Sequence, residues 1–157
     1  MNTSTSTGTV QAVIQADLEY AKVGGTSLRL DLFTPSGAPS GLPTLLYLHG
    51  GAWALGDKSD AAVERLMPIV ANGFAVASAN YRLVPSVTYP APIHDVKAAV
   101  RWLRANAGDL GLDPDRIAIG GASSTFVLIA GAGHEGPEFV TPAINAAVAG
   151  FLAEKLG

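Results

Sequence analysis

The chain has 157 residues, 48% of them hydrophobic and 15% charged, with a formal net charge of −3. A single domain of this length buries roughly 70% of its unfolded surface, and its acidic balance argues against nucleic acid or an anionic membrane as a partner. The absence of cysteine excludes disulfides, thiolate metal sites and a cysteine nucleophile, and the three histidines form no paired metal-binding spacing, so no metal is expected.

The first residues, "MNTSTSTGTVQAV", hold neither a basic region nor an apolar run, so no signal peptide is expected and a cytoplasmic location follows. No apolar stretch approaches the roughly 20 residues of a membrane span. Residues 1–14 are expected to fray as a tail, and 15–157 to form one domain. "ADLEYAKV" and "SLRLDLFTP" then flank "GG", with Leu28, Leu30 and Leu32 alternating against Arg29 and Asp31. That period of two predicts an antiparallel hairpin with one wet face.

"APSGLP" reads as a surface loop, and "TLLYLHGG", apolar without alternation, as a parallel strand covered on both faces. "SDAAVERLMPIVANG" predicts a helix capped by Ser59 or Asp60, ended by Gly73, and kinked or shortened by Pro68. "FAVASANYRL" follows as a strand. In "APIHDVKAAVRWLRANAGDLG", Ile93, Val96, Val100 and Leu103 share one helical face, and Pro92 suits a first turn. "DRIAIGG" predicts a further short buried strand, and "TPAINAAVAGFLAEKLG" a closing helix with an apolar stripe. Alternating strands and helices behind a leading hairpin give an α/β domain with a mostly parallel sheet.

Three short stretches carry chemistry. In "YLHGGAW" a strand runs into His-Gly-Gly, whose backbone N–H groups either make a tight turn or serve as oxyanion donors, each worth about 3–4 kcal/mol where measured. "IAIGGASS" is a strand ending in G-x-S, half of the sharp turn that exposes a nucleophilic serine, although Thr125 replaces the second Gly. "AGAGHEG" is a glycine-rich loop that presents His134 either as a plain surface residue or as a general base.

With "ASANYRL", "YPAPIHDVKAAVRWLRANA" and "LDPDRIAIGGAS", these stretches resemble the α/β-hydrolase superfamily, in its hormone-sensitive-lipase-like and feruloyl/acetyl-esterase-like branch. The resemblance spans residues 15–124, and residues 126–157 look like that family's last strand, histidine loop and final helix. It implies a shortened α/β-hydrolase sheet. It further implies a serine carboxylesterase acting on small carboxylic esters through an acyl-enzyme, with no cofactor. Ser123 would be the nucleophile, His134 the base, and the N–H groups of Gly51, Ala52 and Ser124 the oxyanion donors. His49 and His94 match positions that look structural, and Asp57 and Arg82 match ones that shape the pocket or hold the loop.

The section that the family carries between the serine turn and the last strand, including the triad acid, is missing. A lost acid lowers turnover about ten-thousand-fold in known triads. If "TFVLIAG" is a strand, roughly 25 Å separate Ser123 from His134; as a helix it spans about 16 Å. Proton transfer needs about 3 Å. Three arrangements remain: the stretch is irregular and loops back, or the last strand and helix are exchanged between two molecules so that a homodimer or higher oligomer shares the site, or the chain is a non-catalytic remnant acting as a binding or oligomerising module.

Overall fold

A computed structural model describes residues 11–60 and 62–121. Five strands form one sheet in the order β1-β2-β4-β3-β5: β1 (Ala12–Val23), β2 (Thr26–Pro35), β3 (Leu42–Leu48), β4 (Ala75–Ala79) and β5 (Leu112–Gly121). Helices α1 (Ala62–Ala71), α2 (Ala91–Ala105) and the single turn α3 (Ala107–Leu110) connect them. The shortened α/β-hydrolase sheet expected from the motifs is what the strands form.

Gly24 and Gly25 join β1 to β2 with φ of +56° and +85°. Two consecutive positive φ values make the turn whose twist matches paired antiparallel strands, and glycine adopts them without a Cβ clash. β1 begins at Ala12, which pairs with Pro35, so residues 12–14 are hydrogen-bonded sheet and not the tail expected over 1–14. Residues 1–10 lie outside the described residues.

Across β2, β4 and β3 the sheet is buried on both faces. Leu32, Leu46 and Ala77 face α2, where Val96, Ala99 and Leu103 close a core. Phe33, Leu45, Tyr47 and Val76 point the other way, onto Leu66, Ile69 and Val70 of α1. Placing α1 and α2 on opposite faces has a topological consequence. The chain leaves β3 through α1 to β4 on one side, then returns over the opposite face through α2 to β5 on the other. Strand order therefore reverses between β3 and β5, and a crevice at the carboxyl ends of those strands is where open α/β sheets bind ligands.

Several local expectations are corrected. Ahead of α1, the Ser59 hydroxyl donates to Asp57, and Asp60 accepts the Asp57 N–H. α1 continues past Pro68 to Ala71, and Gly73 follows its end as expected, at φ +89°. The buried stripe of α2 is Pro92, Asp95, Val96, Ala99 and Leu103, with Ile93 and Val100 at its margins, because an Arg82 partner draws Asp95 inward. The strand over "DRIAIGG" is not buried. As the last strand of the described sheet, β5 is half-buried to exposed beyond Leu112, and Ile119 is 56% exposed.

Asp31, assigned to the wet face of the hairpin, is only 8% exposed. A bulge in β1 places Ala16 and Asp17 opposite it, with Asp17 at φ +57° donating its N–H to the Asp31 carboxylate at 2.8 Å. Lys58 reaches the same carboxylate at 2.8 Å and Asp17 at 3.1 Å. Burial disfavours the Lys58 charge, but the Asp31 and Asp17 carboxylates outweigh it and raise the ammonium pKa.

Candidate functional site

The turn that follows β3 is built from His49, Gly50, Gly51, Ala52 and Trp53. Gly51 has φ +116°, and Ala52 and Trp53 are also left-handed, at +51° and +66°. Two consecutive non-glycine residues in that region cost about 1–3 kcal/mol each and persist only where the surroundings hold them. The Gly51 carbonyl accepts the Ala54 and Leu55 N–H groups at 3.0 and 3.1 Å, and the Trp53 carbonyl accepts Val84 N–H at 2.9 Å. A Cβ on Gly51 would stand 2.1 Å from the Leu55 carbonyl oxygen, so the turn closes only with glycine there.

These bonds fix the directions of two amide groups. A trans peptide is planar, with its N–H pointing opposite to its C=O. The Gly50 carbonyl lies 2.8 Å from His49 Nδ1. A carbonyl oxygen only accepts, so Nδ1 carries the proton, and anchoring Gly50 O sets the direction of Gly51 N–H. Anchoring Gly51 O by Ala54 and Leu55 likewise sets that of Ala52 N–H. Among the described residues, neither amide donates to an acceptor. Paired N–H groups held in this way are what a developing oxyanion requires.

β5 delivers the second half of the site. It runs parallel to β3, with Leu48 opposite Gly121. The chain therefore leaves β5 beside the residue that opens the His49–Trp53 turn. A Cβ on Gly121 would fall 2.6 Å from the Leu48 carbonyl oxygen, so glycine alone lets the strands approach this closely at their ends. Ser123 follows two positions later. Ser123, Ser124 and His134 all lie outside the described residues, whereas Gly51 and Ala52 are placed in the turn.

The loop after the turn is tied to the sheet by polar contacts. Asp57 accepts the Ser59 hydroxyl and N–H at 2.7 and 2.9 Å and the Asn80 side-chain N–H at 2.8 Å. The Ser59 hydroxyl, helped by Asn80 and Lys58, lowers the Asp57 pKa to about 2. Ser78, fully buried on β4, donates to the Lys58 carbonyl at 2.7 Å. Arg82 grips Asp95 with Nε and Nη2, at 2.9 and 2.7 Å, and donates its N–H to the same carboxylate. Asp57 and Arg82 thus hold loops. His49 is 5% exposed, while His94 lies on the exposed side of α2.

A hollow of about 170 Å³ opens on the α1 side of the turn, lined by Tyr47, His49, Gly51, Leu55, Asp60 and Arg65. Among the described residues no group of His, Asp and Glu side chains converges as metal ligands do. The residues missed from sequence are Tyr81, which contacts the turn from just beyond β4, and the buried Asp95. A tyrosine just past a fully buried strand, and an acid on the apolar stripe of a helix, were the available signals.

Residues 30–139 match the BD-FAE family model. The chain is 42% identical over 103 residues to the carboxylesterase NlhH of Mycobacterium tuberculosis, covering 64% of this chain and 32% of that protein. It is 38% identical over 87 residues to an arylesterase of Saccharolobus solfataricus, covering 55% of this chain and 28% of that protein. Among solved structures, a truncated form of a carbohydrate esterase from gut microbiota superposes with a TM-score of 0.65 at 30% identity, over 72% of this chain and 40% of the other. The chain spans about a third of the length of the curated relatives it matches.

Proposed function

This chain belongs to the BD-FAE family, within the α/β-hydrolase esterases, and on that premise we propose that it is a serine carboxylesterase of small carboxylic esters. In this reading the Ser123 hydroxyl attacks the ester carbonyl and His134 takes its proton. The N–H groups of Gly51, Ala52 and Ser124 receive the oxyanion, the alcohol leaves, and water then hydrolyses the acyl-enzyme. The observation that carries the reading is the parallel pairing of Leu48 with Gly121, which supports a serine turn beside two preset amide donors. Turnover is slow in this reading, because the chain supplies no residue at the expected triad-acid position. The exposed Ile119 on the last described strand supports a homo-oligomer in which His134 of one molecule serves Ser123 of another.

The test is hydrolysis of a short-chain activated ester by the purified chain and its Ser123→Ala variant, with phosphonate labelling read by mass spectrometry. A rate lost with Ser123, together with a label on Ser123, is the expected result. Equal rates and no label would leave only a non-catalytic module. Ser123→Ala and His134→Ala chains refolded together are expected to recover part of the activity. No recovery in verified mixed oligomers removes the shared site.

A further inference from the structure

Tyr81 stands just beyond β4 and touches the turn after β3 at two residues. Its hydroxyl donates to the His49 carbonyl at 2.7 Å. Its ring stacks on the His49 imidazole, with centroids 4.5 Å apart and planes 10° from parallel. It also meets the Trp53 indole at 5.6 Å and 60°. Tyr81 is 7% exposed, so the hydroxyl has exchanged most of its water for this one acceptor. The Gly56 backbone lies close to the Nδ1 edge of the imidazole, where a Cβ would come within 2.3 Å of Nδ1. The ring is thus held by Tyr81 on one face and by the close Gly56 backbone, with its Nδ1–H on the Gly50 carbonyl.

We propose that Tyr81 is a positioning residue for acyl transfer: it holds His49 so that the Nδ1–H fixes Gly50 O and thereby aims the Gly51 amide. The inference rests on the acyl-transfer reading of this turn and adds a residue that never touches substrate. Through Trp53 the same ring braces the left-handed segment that carries Ala52 N–H. A misaimed donor weakens transition-state binding more than ground-state binding, so the effect belongs in kcat.

Tyr81→Phe keeps the ring and removes the donor to His49 O. The expected result is a kcat about tenfold lower with KM within about twofold, since small misplacements near a reacting centre cost one to two powers of ten. His49→Asn, which keeps an N–H near the Nδ1 position, is expected to retain more kcat than His49→Gln, whose amide lies farther out. In ¹⁵N NMR the native protein should show His49 protonated at Nδ1, and Tyr81→Phe should move the Gly51 amide resonance. A purely structural Tyr81 would lower the melting temperature, leaving kcat per folded molecule and the Gly51 resonance unchanged; that result overturns the proposal. If the native chain fails to cleave any ester, the acyl-transfer reading falls by itself. The His49 tautomer and the Gly51 resonance then still decide whether Tyr81 orients the turn.

Discussion

Leu48 and Gly121 lie side by side at the carboxyl ends of β3 and β5, so close that the Leu48 carbonyl oxygen occupies the space of any Gly121 side chain. The strand that ends in the His49–Trp53 turn and the strand that leads to Ser123 are therefore neighbours, although 73 residues (121 − 48) separate them in sequence. That adjacency follows from the reversal of strand order across β3, and it gives the first set of expectations.

Gly121→Ala should be costly. Its Cβ would meet backbone at 2.6 Å, which cannot swing away, so β5 must shift. A loss of about 1–3 kcal/mol is expected in urea unfolding. Gly120→Ala is the control: its Cβ would meet only the Leu45 Cδ1 methyl at 3.2 Å, which can turn aside, so a smaller loss is expected.

Gly51→Ala tests the turn. A Cβ at 2.1 Å from Leu55 O, on a residue at φ +116°, forces the turn open and turns two amide donors away. Ester turnover is expected to fall by about a hundredfold or more, the scale of losing an oxyanion donor. Kinetics compared with a melting curve measure it; a variant that keeps native kcat would remove Gly51 from the proposed site.

The Arg82–Asp95 pair is expected to matter for stability first. Asp95 is 2% exposed, and Arg82 21% along its side chain. Asp95→Ala strands the guanidinium and the Arg82 N–H together, at a cost of about 3 kcal/mol, the lower end for a broken buried pair because Arg82 still reaches water. Arg82→Lys should recover little, since one ammonium cannot replace two parallel N–H bonds. Denaturant midpoints of the two variants decide this.

Asp57 predicts an acid limb. Its folded pKa of about 2 lies below the ordinary 3.8, so its stabilising contribution is present above about pH 4 and is lost as pH falls toward 2. Asp57→Asn should flatten the stability profile over that window while leaving its shape above pH 5 unchanged. The effect is modest, because the carboxylate is partly solvated. Unfolding monitored from pH 2 to 7 shows whether the two profiles converge at low pH.

The elements that could be read in the sequence are those with a local cause. Alternation in "SLRLDLFTP", the paired glycines before it, the unbroken apolar run of "TLLYL" and Gly73 after α1 each reflect a backbone or burial preference acting over a few residues. The resemblance located Gly51 and Ala52 in the same way, by an ordered string of short motifs.

Other features required distant partners. Asp31 and Asp95 are buried because Lys58 and Arg82 meet them across the fold, and no periodicity announces a partner that arrives from a distant loop. The exposure of β5 depended on its place in the sheet, which a run such as "RIAIGG" does not reveal.

Sequence alone thus determined the class of the fold, its chain order and the glycines that a tight strand end demands, because these depend on local sterics and hydrophobic period. The tertiary structure decided which strand ends meet, that the Gly50 and Gly51 carbonyls are both anchored so that their peptides' N–H groups point in fixed directions, and that Tyr81 braces them through His49. Those depend on contacts between residues far apart in the chain, whose geometry exists only after the sheet has assembled.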